Sequence, residues 1–361
     1  MRPRRGAWGG RVRRIGAVLS VLGLSSAVGV AGPVAGYHLV RRVDLPTVTG
    51  WDYLSLDPVR RDLYVSNNSG IVVVDVDTLR IRGTVPSPPT WPGVGLVHGV
   101  AFADDLGRGF VSREQPPSIV TFDLSSLAVL RSTPTDVGTD AIVYDPATRR
   151  VFTANGKHRG VHDVTAIDAV TGRALGDVAL PGVPEFAVAD GRGHLYVNIA
   201  SASELGRIDT RTLRLTAVWK IAPCRDPSAL AVDPVRRRLF AACGNRVMVM
   251  VSANDGRVLG SVPTGAGTDA AVFDPGTGDV FASNGAGTLT VARTTRRGRL
   301  VLVQQVPTEP GARTMALDAK THRIFLVTAR FAAPPAEPTP ANPHGYPTAI
   351  PGTARLLIYG R

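Results

Sequence analysis

Seven positions in this 361-residue chain recur at intervals of 47, 41, 45, 43, 41 and 44 residues, and they hold Asp52, Gly99, Asp140, Glu185, Ser228, Asp269 and Arg313. Four of the seven are carboxylates. Brought around one opening, Asp52, Asp140, Glu185 and Asp269 would repel one another, and a bound cation, the neighbouring Arg313 or proton uptake would relieve them. His98 directly precedes Gly99 and adds an imidazole to the set, a weak candidate for moving a proton. Fifteen residues beyond Asp52, Asp140 and Asp269 stand Asn67, Asn155 and Asn284. Amide oxygens beside carboxylates suit calcium, which takes six to eight oxygens at about 2.3–2.6 Å. The competing reading makes each Asn a turn residue and each acid a cap for loop amides.

The elements that must position these side chains are strands. Each of the seven positions lies five residues before an aspartate that ends an apolar run, as in Leu54-Ser55-Leu56-Asp57, Ile142-Val143-Tyr144-Asp145 and Leu230-Ala231-Val232-Asp233. A short turn follows, often begun by Pro, and then a second strand with a large apolar centre, such as Leu63-Tyr64-Val65 or Leu239-Phe240-Ala241. A β-branched run and a fourth strand complete each unit. Repeats of this length, with four short strands apiece, predict an all-β, seven-bladed β-propeller, because one blade cannot bury both faces until neighbours stack on it. The last unit lacks a fourth strand, while an extra one, Tyr37 to Leu45, precedes the first unit. Pairing the two closes the ring and removes exposed edges. The innermost strand of each blade, strand A, then lines the channel, and the seven positions form a ring at its mouth.

Residues 1–36 stand apart: six Arg, no acid, and an uncharged stretch from Ile15 to Ala35. This reads as a secretory signal peptide, or as an uncleaved N-terminal anchor, which would be the only membrane attachment. Residues 37–361 are expected to be a single propeller, monomeric, with an extended Pro-rich loop over 332–351. Removing the leader lowers the formal charge from +12 to +6, too small an excess for this length to argue nucleic-acid binding. Cys224 and Cys243, the only cysteines, fall at one end of a hairpin and are expected to form a disulfide suited to an exported, periplasmic, cell-surface or secreted protein. The A-to-B turns are rich in Arg, but their seven six-residue windows hold eleven Lys or Arg and ten Asp, which predicts local pairing, not a polyanion site.

The chain resembles the exported bacterial propellers with Tyr-Val-Thr-Asn-type repeats, the YncE-like proteins. The resemblance spans Gly50 to Arg361 and is carried by Trp51-Asp52-Tyr53-Leu54, His98-Gly99-Val100-Ala101-Phe102, Asp140-Ala141-Ile142-Val143-Tyr144-Asp145-Pro146, Pro184-Glu185-Phe186-Ala187, Gly311-Ala312-Arg313-Thr314-Met315 and the signature Tyr64-Val65-Ser66-Asn67. It implies an exported seven-bladed propeller and no settled activity. The second blade departs from the pattern, with Arg113-Glu114 where other blades place Asn.

Other chemistry finds no support. The sequence has no Gly-x-Ser-x-Gly elbow, no Gly-rich phosphate loop, no His-Glu-x-x-His and no Cys-x-x-Cys-His. Two readings remain. The first is a binding module whose acidic, Asn-rich mouth takes a small molecule or an envelope protein. The second is a calcium-dependent, lactonase-like hydrolase with the metal on Asp52, Asp140, Glu185 and Asp269.

Overall fold

The computed structural model describes residues 36–68, 70–86, 97–156, 160, 162–337 and 346–361. The leader expected over residues 1–36 falls, apart from Gly36, outside the described residues, and so does the centre of the Pro-rich loop. Residues 36–361 form one compact unit of seven four-stranded antiparallel sheets. Blade one, in the order A to D from the channel outward, is Leu54–Asp57, Asp62–Asn67, Gly70–Asp75 and Ile81–Pro86. Blade seven is Met315–Asp318, Arg323–Thr328 and Arg355–Gly360, and its outermost strand is His38–Asp44 from the start of the chain. The N-terminal strand therefore closes the ring as the repeat count requires.

Burial explains why seven units hold together. Each of the seven hydrophobic clusters draws its residues from two adjacent blades, for example Leu63, Val72 and Val74 with Phe325, Leu356 and Ile358 between blades one and seven. Strand B is buried on both faces and carries the large core rings: Tyr64, Phe110, Phe152, Tyr196, Phe240, Phe281 and Phe325 are all less than 2 % exposed. Each such side chain contributes about 1.5–3 kcal/mol on burial, and all of that depends on a neighbouring blade being present.

The closing strand is tied to its neighbours by polar contacts as well. The Tyr37 amide donates to Gln304 Oε1 and Gln304 Nε2 donates to the Tyr37 carbonyl, both at 2.9 Å. Arg42 and Arg355 converge on Glu309. On the first blade, Arg61 reaches back across the seam to both Asp318 oxygens at 2.7 and 2.8 Å.

The repeat aspartates fold back onto their turns: Asp57 Oδ1 accepts from the Val59 and Arg60 amides, and Asp233 Oδ1 from those of Val235 and Arg236. The arginines of these turns pair locally, Arg60 with Asp57 and Asp104, Arg149 with Asp105, and Arg236 with Asp233. Cys224 and Cys243 are joined in a disulfide with Cα atoms 5.6 Å apart. The two described ends of the Pro-rich loop pair with each other, Ala332 donating to the Thr348 carbonyl and Ile350 to that of Arg330, so the loop leaves and re-enters the fold as a ribbon. No helix among the described residues is long and apolar enough to cross a membrane.

Candidate ligand-binding site

A register irregularity aims the ring residues. In blades two to six, strand A carries a bulge at its channel-mouth end: His98 and Gly99 between Val97 and Val100, Asp140 and Ala141 between Thr139 and Ile142, Glu185 and Phe186 between Pro184 and Ala187, Ser228 after Pro227, and Asp269 after Thr268. An extra residue without a cross-strand partner bends the strand and re-aims its side chain. In blades one and seven strand A starts later, and Asp52 and Arg313 lie in the segments leading into it. Strand-B hydroxyls brace these segments: Ser66 Oγ accepts from the Asp52 amide at 2.6 Å, Ser112 Oγ from the Gly99 amide at 2.9 Å, and Ser283 Oγ donates to the Arg313 carbonyl.

The structure gathers three of the candidate acids, Asp52, Asp140 and Asp269, around two cations. His98 Nδ1 lies 2.6 Å from Asp52 Oδ2 and 3.4 Å from Asp140 Oδ1, and its Nε2 lies 3.4 Å from Glu114 Oε2. Arg313 bonds Asp269 at 2.5 Å and approaches Asp52 Oδ1 at 3.4 Å. His98 and Asp140 are buried, at 8 % and 2 % exposure. Burial opposes a charge on His98, yet Asp140, Asp52 and Glu114 outweigh it and push the imidazole up to about 10, so it is an imidazolium at neutral pH. Burial also opposes the charge on Arg313, and Asp269 and Asp52 again outweigh it and raise its pKa.

Tyr53 lies within the field of this arrangement. Burial first, and then Asp140, Asp52, Glu185 and Asp269, drive its hydroxyl well above the usual phenol range, so it stays neutral. Its ring meets that of Phe186 at a centroid distance of 5.4 Å. Blades one and four stand three steps apart in a ring of seven, so this contact crosses the axis and separates the mouth from the channel below. That channel is a cavity of about 400 Å³ with apolar walls, among them Leu54, Ile142, Leu230 and Met315.

The three asparagines face other partners. Asn67 Oδ1 accepts from the Thr49 amide and hydroxyl and the Asn68 amide, Asn155 Nδ2 donates to Asp163 and Thr165, and Asn284 bonds Thr268, Thr288 and Thr290. All three are buried. Each is the last residue of its strand B and none has a positive φ, so they are strand-end residues and not turn residues.

Sequence reasoning did not single out Tyr53, Glu114 or an aromatic cleft beside the mouth. The cleft, about 800 Å³, is lined by Trp51, Phe331 and Tyr346, with Asp269 and Arg313 on the same wall. Trp51 and Phe331 lie 6.1 Å apart. Trp51-Asp52-Tyr53 had marked the segment, but nothing in the repeat spacing distinguished the flanking aromatics from core residues.

No protein-family model and no curated protein sequence matches this chain. Solved structures do resemble it: a chain from the crystal structure of the mitotic checkpoint complex has a TM-score of 0.72 at 11 % identity, covering 96 % of this chain and 99 % of that one. The fold is that of a seven-bladed β-propeller. U3-55K follows, with a TM-score of 0.69 at 9 % identity over 89 % and 98 % of the two chains, and Kuenenia stuttgartiensis hydrazine synthase, with 0.67 at 13 % over 81 % and 96 %. Identities this low establish shared architecture, and one architecture hosts many unrelated functions.

Proposed function

We propose that this chain is an exported, YncE-like propeller that binds a small organic cation at its channel mouth without transforming it. The observation that carries this reading is the gathering of carboxylates at the mouth beside an aromatic cleft. Asp52, Asp140, Asp269 and Glu114 lie against His98 and Arg313, and the charges of Asp140, Asp52, Glu185 and Asp269 all act on Tyr53. The cleft lined by Trp51, Phe331 and Tyr346 opens beside them, and aromatic faces next to carboxylates favour an ammonium group carrying an apolar body. A disulfide suits an oxidising compartment, and with the Arg-led leader it supports export.

The lactonase-like alternative has less support. Its calcium would sit on the four acids with His98 moving the proton, but His98 Nδ1 lies between two carboxylates, an environment that favours imidazolium over a free base. Calorimetric titration of the mature protein with polyamines and quaternary ammonium compounds, in chelator, tests the binding reading. Binding should weaken with salt and vanish in Asp140→Asn/Asp269→Asn. Unchanged affinity in that variant would move the site away from the mouth.

A further inference from the structure

We propose that Asp52, His98 and Asp140 form a site for one divalent transition-metal ion of the zinc class, with Glu114 orienting the histidine from behind. The proposal rests on the reading of the mouth as a cation site, but it names a different occupant from the organic cation, seated on His98.

The geometry carries it. One ligand atom from each of the three residues lies within 4.8 Å of the other two. A tetrahedral ion with nitrogen and oxygen ligands at about 2.0–2.2 Å holds neighbouring ligand atoms about 3.4 Å apart. His98 Nδ1 and Asp140 Oδ1 already stand at 3.4 Å. Asp52 Oδ2, at 2.6 Å from Nδ1, must withdraw by about 0.8 Å, and it belongs to a half-buried side chain on a loop, not to a packed strand.

The remaining imidazole nitrogen supplies the second argument. A metal-bound histidine almost always donates its other N–H to a carboxylate or carbonyl, which fixes its tautomer and ring plane. His98 Nε2 faces Glu114 Oε2 at 3.4 Å, with Glu114 itself 8 % exposed. In the second blade Arg113 ends strand B where Asn155 and Asn284 end theirs, and the next residue, Glu114, supplies the outer partner that a metal-bound His98 requires. Proton balance is simple: the ion takes the Nδ1 lone pair, and the proton held there between Asp52 and Asp140 leaves to solvent.

The donor set selects the metal. Calcium prefers six to eight oxygens, whereas imidazole with two carboxylates suits zinc or cobalt(II). Three protein ligands leave one position open, and a cavity of about 230 Å³ lined by Asp52, His98 and Arg313 adjoins it. Water or a small anionic or neutral ligand could complete the coordination there.

The test uses full-length mature protein stripped with a chelator and titrated with zinc chloride, cobalt(II) chloride and calcium chloride. The expected result is one equivalent of zinc per chain, competing with cobalt whose visible ligand-field bands report a nitrogen-containing tetrahedral site. Glu114→Gln should keep the stoichiometry and weaken zinc about 10- to 100-fold. His98→Gln should abolish the cobalt bands, and Asp52→Asn, at a more exposed position, serves if His98→Gln does not fold. Calcium binding as tight as zinc, or zinc binding unaffected by His98→Gln or Asp52→Asn, would overturn the proposal. Amine binding that persists in chelator while zinc fails to bind would remove the metal site alone. Zinc binding without amine binding would remove the organic-cation reading alone.

Discussion

Asp163→Asn should stabilise the protein at neutral pH and leave it unchanged in acid. Asp163 lies at the start of the third strand of blade three and is 8 % exposed. Its Oδ1 accepts from Asn155 Nδ2 at 2.7 Å, and Asn155 also donates to Thr165 Oγ1, which in turn donates to Asp177 at 2.7 Å. Burial is the largest influence on its carboxyl. The Asn155 amide opposes it, but the Asp136 carboxyl bonded alongside and the charge of Asp177 add to it, and the pKa rises from 3.8 to about 6.

The sign follows from proton counting. Between about pH 4 and 6 the native state holds this proton and the unfolded chain does not, so stability falls as pH rises across that window. The stabilisation is complete below about pH 4 and is lost above about pH 6. At about 1.4 kcal/mol for each tenfold change in proton affinity, the rise from 3.8 to about 6 corresponds to at most about 3 kcal/mol. Asp136 is exposed to water, and screening brings the expected effect to about 1–2 kcal/mol. An asparagine at 163 still accepts from Asn155 and can donate to Asp136, so the network survives while the buried charge does not. Urea unfolding of wild type and variant at pH 4 and pH 7.5 measures the difference. A variant less stable at pH 7.5, or equally shifted at both values, would refute the account of Asp163 as a buried acid short of compensation.

Two further outcomes test the ring itself. Replacing Cys224 and Cys243 by Ala removes a cross-link spanning 19 residues, and chain entropy then predicts a loss of about 3 kcal/mol, read by urea unfolding with and without reductant. Arg61→Ala leaves the buried Asp318 without the guanidinium that bridges blades one and seven; Asp318 keeps the Thr321 hydroxyl and Lys320 amide, so the expected cost is about 2–3 kcal/mol, and a double-mutant cycle with Asp318→Asn should show coupling above about 1 kcal/mol.

The blade count and ring closure were legible because the signal is local and repeated. An aspartate that caps its own turn marks the end of strand A, so counting back from Asp57, Asp145 or Asp274 reaches the level of the mouth, whereas in blade two strand A ends at Ala103 and the register brings His98, not Gly99, to the place of Asp140. The convergence of Asp52, Asp140 and Asp269 on one opening follows from that register. The direction in which a side chain points does not. Spacing placed Asn67, Asn155 and Asn284 at the level of the mouth, but each ends strand B with its amide bonded to neighbouring strand and loop residues, and spacing along the chain does not report where a side chain points. Tyr53 was hidden because it stands just before strand A of blade one, and it alone among the residues at its place in the repeat, Val100, Ala141, Phe186, Ala229, Ala270 and Thr314, carries a phenol. The cleft of Trp51, Phe331 and Tyr346 joins residues from the two sides of the closure seam, where no repeat operates.

The departures from sevenfold repetition are where the charge is resolved. A ring built from one repeated acid would have no internal counter-ion, and here blade two contributes His98 with Glu114 while blade seven contributes Arg313. These divide the mouth into a sector of His98, Asp52 and Asp140 and a sector of Arg313, Asp52 and Asp269. Asp52 belongs to both, with Oδ2 toward His98 and Oδ1 toward Arg313. An ion that draws Asp52 toward one sector must loosen its contact with the other, because a single carboxylate cannot hold both bonds at their shortest. Occupancy of the two sectors is therefore coupled through one side chain, and Asp52→Asn is the substitution whose effects should reach both.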